Sequence, residues 1–424
     1  MNESSTLVPD TMTTLREAGT AEFERRGLPT TRDEEWRFTP LGDLAKWPAF
    51  ESAEPGENPT IESLAPHLFG ADVPRLVLVD GHFVPELSSS LAMLPAGVVV
   101  MPLGEAIAEG HPVATVELGR WAGPDQTVFT ALNASLFTDG LFLHVPKGVV
   151  VATPIQLLSV TTAAAAGKVV APRMLIVLGE SASATVVESY ASHGDAASLT
   201  DAVVEVHLGA NARLDHTRVA REHHTAWHVG FTHVDQEQDS HYRSFALAMG
   251  GRLCRHNLHT RHLGERVETL LYGLYLTTGD QIADTHSAIF HDKPNCNSWE
   301  VYKGVLGDRS RGVFNGKVLV DRLAQKTDAK QTNRNLLLTD QARADTKPQL
   351  EIFADDVKCT HGATIGRLNE QQRYYLQSRG IGGRQAEQLL IWAFAAEVVA
   401  EIADPTVRQG LEAVVHAKLG EMTA

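Results

Sequence analysis

Cysteine is scarce: three residues in 424, at Cys254, Cys296 and Cys359, with no CxxC pair. That excludes a disulfide framework and fits a reducing compartment, so a cytoplasmic protein is expected. Long apolar runs are absent too. The richest, LLIWAFAAEVVA at 389–400, falls short of the roughly 18 residues that a membrane-spanning helix needs. The first residues, MNESSTLVPDTMTTLREAG, show no basic start, apolar stretch or small-residue cleavage signal, so no secretory leader is expected. Positive charge is in deficit, with 37 Lys and Arg against 52 Asp and Glu and a net charge of −15. An acidic surface argues against a general grip on nucleic acid or anionic lipid, and neither is expected as a partner.

Familiar catalytic signatures are missing as well. There is no GxGxxG fingerprint, GxSxG elbow or HExxH helix. GVFNGKV at 312–318 looks like a phosphate loop, but it has one residue too few between its glycines. Val318 also stands where a magnesium-binding Ser or Thr belongs. No nucleotide site of the chain's own is expected.

What is present falls into three parts. Residues 1–75 read as a helical region with a linker: a helix from about Met12 to Arg26, stopped by Gly27 and Pro29, then EEWRF with Trp36 and Phe38 as anchors. ESAEPGENPT at 51–60 is the linker candidate. Residues 76–365 read as β, most regular from about 125, with short strand-like runs such as RLVLVD, LFLHVP and RMLIVLG. A polar turn recurs, and VLGESASATVVES (177–189) aligns with HLGANARLDHTR (207–218) at an offset of 30 residues. Many short strands joined by similar turns suit a β-solenoid better than a sandwich, for which this stretch is long. Residues 366–424 read as helices. Asn369 caps the first and Gly380 closes it, and a second runs from about Arg384 to Ala403. Asp404 and Pro405 open the last. The middle helix is apolar almost all round from Leu389 to Ala396, so it must be covered on more than one side.

Two groups of residues could carry metal chemistry. Thirteen of the nineteen histidines lie between His193 and His291, including His223, His224, His228 and His233 near Glu222 and Asp235. No metal-specific spacing organises them, and solvent-facing or hydrogen-bonded roles are the better reading. Cys359 and His361, in LEIFADDVKCTHGAT, are two apart, so on a strand they share one face within reach of one ion. Two ligands make only half a site. The bland alternative is a small buried thiol beside a hydrogen-bonded imidazole. Lys358 favours the thiolate if its ammonium lies near the sulfur.

RGVFNGKVLV (311–320), AQKTDAKQTNRNLLLTD (324–340), DTKPQLEIFADDVKCTHGATIGRL (345–368), YLQSRGI (375–381) and AFAAE (393–397) together resemble the SufB/SufD family of iron–sulfur cluster assembly scaffolds. YGLYL (272–276), YKGVL (302–306) and, weakly, EEWRFTPL (34–41) extend the resemblance upstream. The form ADDVKCTHGAT is most like SufD, with Thr360 where Ser is common. The resemblance implies a mainly β fold with α, a right-handed parallel β-helix core flanked by helical N- and C-terminal regions. It implies a non-enzymatic scaffold that pairs with a SufB-like chain and recruits a SufC-like ATPase. A cysteine desulfurase and sulfur carrier supply sulfur through the complex. Cys359 and His361 carry over as this chain's ligands to a transient iron–sulfur cluster or iron at the subunit interface. The remaining ligands then come from the partner chain. Leu389, Leu390, Trp392 and Phe394 carry over as part of the ATPase-docking region. A reduced flavin in the complex and a homodimer of the isolated chain are both compatible with the family. The rival within it is a SufB-like persulfide acceptor using Cys254 or Cys296. A remote rival is a β-helix polysaccharide hydrolase or lyase built on Asp355 and Asp356.

Overall fold

The computed structural model describes residues 11–70 and 73–423. Two facing sheets wind through the middle of the chain as a parallel β-helix of about eight turns, flanked by N- and C-terminal helices. This is the expected mainly β architecture with α. We call the sheets front and back. The front sheet runs from Arg75–Val79 through Ile155–Thr161 and on, every second strand, to Asp328–Leu337 and Lys358–Gly366. The back sheet runs from Gly140–Val145 and Arg173–Leu178 to Arg311–Val320 and Arg343–Ile352. Pairing is parallel throughout, except for the antiparallel strands His82–Phe83 and Val99–Pro102 at the N-terminal edges.

The recurring turn seen in the sequence sets the winding. Ser181 and Asn211, 30 residues apart, both take a left-handed backbone, and Asp239, Arg266, Asn295 and Lys326 repeat it on later coils. Each of these turns is tied to the next. The Ser181 N–H donates to the Ala210 carbonyl (2.8 Å), that of Asn211 to Gln238 (2.8 Å) and that of Asn295 to Gln325 (2.9 Å). In register, side chains stack in ladders. The inward ladder Val186, His216, Ser244, Leu271, Glu300, Gln331, His361 is one example. Most inward positions are apolar and form one continuous core from Leu76 to Ala354. Fully burying each such side chain contributes roughly 1.5–3 kcal/mol.

GVFNGKV belongs to this scheme and is no loop. It lies within the strand Arg311–Val320, and its glycines leave room for side chains crossing from the front sheet. A Cβ at Gly316 would stand 2.1 Å from the Gln331 amide nitrogen, and one at Gly312 would stand 2.7 Å from the Tyr275 ring.

Sequence reading missed the helices Leu103–Ala108, Pro112–Glu117 and Val128–Leu136, which fall within the stretch read as β. The last of these is buried at Val128 through Ala134, its polar Thr130 and Asn133 included, so it has no solvent-facing stripe of charge to mark a helical period. It is held to the back sheet through buried charge. Arg173 and Glu205, both wholly buried, pair at 2.6 Å. Arg173 also donates to Asn133 Oδ1 (2.9 Å), and Glu205 accepts the backbone N–H groups of Gly119, Trp121 and Ala122 at 3.0–3.1 Å. Removing either partner strands a buried charge, at a cost of about 3–5 kcal/mol.

The N-terminal helix runs Thr11–Arg26, and Gly27 with φ +64° ends it. The strap that follows crosses the outer face of the back sheet. Trp36 is buried there, with the Arg255 guanidinium 4.0 Å above its ring, while Phe38 sits beneath Arg311 at 5.3 Å. Thr39 donates to Asp284 (2.6 Å), and the Arg255 guanidinium donates to the Glu35 carbonyl (2.7 Å). The stretch 51–60 lies against the solenoid: Ser52 bridges to Val169, and a Cβ at Gly56 would collide with Thr162 and Asp80.

His286 is central to the strap's hold, contacting Glu35 at 2.9 Å and Asp284 at 3.0 Å. Burial works against its charge, but the two carboxylates outweigh both burial and the Arg255 charge, so its pKa is raised. Hydrogen bonding from His286 holds the Glu35 carboxyl below its usual range. The His286 contribution is therefore complete below the unfolded value near 6.5 and is lost as pH rises through the raised folded value. The Glu35 contribution is present above about 4.5 and is lost as pH falls through its lowered value. We predict that urea stability declines as pH climbs above about 6.5, and that His286→Gln flattens this alkaline limb. An unchanged limb in the variant assigns the decline elsewhere.

Candidate functional site at the open end of the solenoid

A solenoid's last coil has a neighbour on one side only. Here it consists of Arg343–Ile352, paired to Arg311–Val320, and Lys358–Gly366, paired to Asp328–Leu337. Among the described residues neither strand has a partner on its outer edge. The burial pattern shows it: no residue of these two strands is fully buried, whereas Trp227–Gln236, in mid-solenoid, is buried at every position. Leu323, Phe353 and Ile365 leave apolar surface exposed around this end, at 70%, 62% and 49%.

Cys359 and His361 lie on this terminal strand. Cys359 pairs with Ala329 and His361 with Gln331, so both occupy inward ladders, on one face as the spacing required. Cys359 is half-buried against the core and His361 is exposed. Burial pushes the Cys359 thiol up, with the Asp328 charge adding to it. The expectation about Lys358 therefore fails. Neighbours on a strand point to opposite faces, and no lysine acts on this sulfur. Among the described residues no three His, Cys, Asp or Glu side chains are grouped to hold a metal ion.

The remaining candidates stand elsewhere. The strand begins at Trp227, so His223 and His224 fall in the turn before it. His228 is buried inside the solenoid with Nδ1 2.9 Å from Glu222, and His233 contacts Asp235 at 3.1 Å on the outer face. His262 and His291 bond to Thr269 (2.8 Å) and Ser298 (2.9 Å). Burial keeps these two rings neutral, His291 down to about 3. Most of these histidines are structural. Asp355 and Asp356 are exposed in the final turn, where Asp356 pairs with Lys326, coils away from the histidine-rich strands. They do not form a hydrolase's facing pair.

At the C-terminus, Asn369 and Asp404 cap the helices Glu370–Ser378 and Pro405–Met422 as read, and the helix between them spans Gly383–Val399. This middle helix buries Ile391, Ala395, Val398 and Val399 among Phe245, Tyr272, Leu274 and Val305 of the front sheet and Val407, Leu411 and Val415 of the last helix. Buried Lys303 locks it in place, donating to the Phe394 carbonyl (2.9 Å) and pairing with Glu397. Of the four expected docking residues, Trp392 packs on His416 and Phe394 lies under Lys303. Leu390 is half-buried, and Leu389 is 42% exposed. Sequence reading missed Tyr374 and Tyr375, 73% and 56% exposed on the neighbouring helix. Their signal was a paired aromatic in a helix with no apolar stripe.

Cys254 and Cys296 are buried, and burial lifts both thiols to about 11. Neither suits a sulfur-receiving role in this conformation. We predict that iodoacetamide at pH 7.5 labels Cys359 first, and that the other two react only on unfolding. Peptide mass mapping reads the order, and early labelling of Cys254 contradicts it.

Fold and site together define a β-solenoid scaffold whose unfinished end presents a thiol and an imidazole. Comparison with known proteins places it. Residues 160–394 match the model described as SUF system FeS cluster assembly, SufBD core domain, and residues 3–157 match the SufBD protein N-terminal region. The iron–sulfur cluster assembly protein SufD of Escherichia coli is 35% identical over 94% of this chain and 90% of its own. A SufBD family protein of Synechocystis is 34% identical (88% and 84%), and SufD of Bacillus subtilis 31% (70% and 68%). The chain belongs to the SufBD family of iron–sulfur cluster assembly proteins, and within it is a SufD homologue. No helix among the described residues is long and apolar enough to cross a membrane.

Proposed function

We propose that this chain is the SufD-like scaffold subunit of a SufBCD-type complex, and that its open end pairs with a SufB-like chain. Cys359 and His361 then form half of the site where a nascent iron–sulfur cluster, the cargo, is held. The observation that carries this reading is their position on the inward face of a strand whose outer edge has no partner among the described residues. A second scaffold can supply both the missing coil and the missing ligands. Thiolate and neutral imidazole are the forms that bind iron. Because burial raises the Cys359 thiol, binding must displace its proton, and loading weakens as pH falls. ATP hydrolysis and cysteine desulfuration belong to the partners. A SufC-like ATPase docks on the C-terminal helices at Tyr374, Tyr375 and Leu389, the apolar surface those helices leave exposed.

Removing the C-terminal helices would uncover Phe245, Leu274 and Val305, so point changes test docking better than truncation. With SufB-like and SufC-like chains co-expressed, we predict that Leu389→Asp weakens ATPase capture by about 2 kcal/mol, the scale of an interface hot spot. Scaffold pairing persists, and pull-down stoichiometry reads both. His361→Ala should leave the complex assembled while its cluster content drops about tenfold or more. Full cluster content in that variant removes the site assignment.

A further inference from the structure

One buried acid has no role in the core it occupies. Glu300 stands on the inward ladder that ends at His361, in the place where the preceding coil puts Leu271. It is 1% exposed. Its Oε2 accepts from Gln331 Nε2 at 2.8 Å, and its buried Oε1 makes no well-formed hydrogen bond among the described residues. Ser287, on the facing strand, is the polar group near that oxygen, and its hydroxyl partly offsets the cost of burial. Burial lifts the carboxyl to about 7. Such a group costs stability wherever an apolar side chain fits, as Leu271 shows one coil back.

Gln331 is the link to the terminal strand. It is the register partner of His361, and both face inward. Glu300 holds its amide nitrogen, and Gly316 is bare so that this amide can cross toward the back sheet. That leaves Gln331 Oε1, also buried and unpartnered, as an acceptor one strand from an imidazole.

We infer that Glu300 and Gln331 are positioning residues for His361, with the carboxyl fixing the amide so that its free oxygen can accept one imidazole N–H when the ring turns inward in the assembled complex. The other ring nitrogen is then free to face the cluster. Ligating histidines elsewhere are oriented by such outer partners. This inference rests on the reading of Cys359 and His361 as cluster ligands.

The experiment uses the co-expressed complex with Glu300→Leu, Glu300→Gln and Gln331→Leu, and His361→Ala beside them. Iron and acid-labile sulfide per complex, the melting temperature, and the rate at which diethyl pyrocarbonate modifies His361 are measured. Glu300→Leu should raise the melting temperature by a few degrees yet lower cluster content about tenfold, the scale of losing an outer partner. Glu300→Gln keeps an acceptor for the Gln331 amide and should restore most of the cluster content. Gln331→Leu should lower it like Glu300→Leu and change the His361 modification rate at least twofold. If His361→Ala depletes the cluster while Glu300→Leu and Gln331→Leu leave cluster content and modification rate unchanged, the positioning role is refuted. If His361→Ala itself changes nothing, the ligand assignment beneath it fails first.

Discussion

A coil of a parallel solenoid is stable because the next coil satisfies its backbone and covers its inward side chains, and that requirement has no natural end. Every N–H and C=O along a strand edge looks for a partner one strand spacing away. At the N-terminal end of this molecule the demand is met internally. Antiparallel strands close both sheets, and the buried Arg173–Glu205 pair fastens the flanking helices across them. At the C-terminal end it is left unmet. The last two strands keep open edges, and the chain turns from them into helices that cover the side of the front sheet rather than its end.

The proposed function follows from that asymmetry. In the middle of the solenoid a cysteine or histidine is enclosed, as at Cys254 and His228, and can only pack or hydrogen-bond. On the terminal strand the same inward direction leads to a surface. Cys359 keeps enough contact with the core to be held in place, and His361 is open to whatever docks there. One piece of geometry thus makes the site reachable and leaves it unfinished. The C-terminal helices spend one face on Phe245, Tyr272 and Val305 and leave an apolar remainder at Tyr374, Tyr375 and Leu389, the surface proposed for a separate contact.

Much of this was legible before any coordinates. The 30-residue offset between two polar turns identified coils, because a left-handed corner favours small polar residues and recurs once per coil. Caps at Asn369 and Asp404 were legible because their side chains act locally. The pair at Cys359 and His361 was visible as shared-face spacing. What stayed hidden depends on contacts between distant coils. Helix Val128–Leu136 is buried all round and so loses its period. The roles of Gly312 and Gly316 are set by side chains from the other sheet, and the inert state of Cys254 is a matter of depth. The exposure of Leu389, set against the covered Trp392 and Phe394 three and five residues on, depends on where Lys303 and the last helix happen to sit.

The left-handed corners have a metrical consequence. Ser181, Asn211, Asp239, Arg266, Asn295 and Lys326 mark coils of nearly constant length, each adding one strand spacing of about 4.8 Å along the axis. The body between the fastened N-terminal end and the open end is therefore a ruler graduated in whole coils. Losing or gaining a complete coil would shift the terminal thiol and imidazole by one graduation and keep them on the inward face, whereas a change of one residue would turn a strand inside out. A partner that must meet both the flanking helices and the open end reads that length directly.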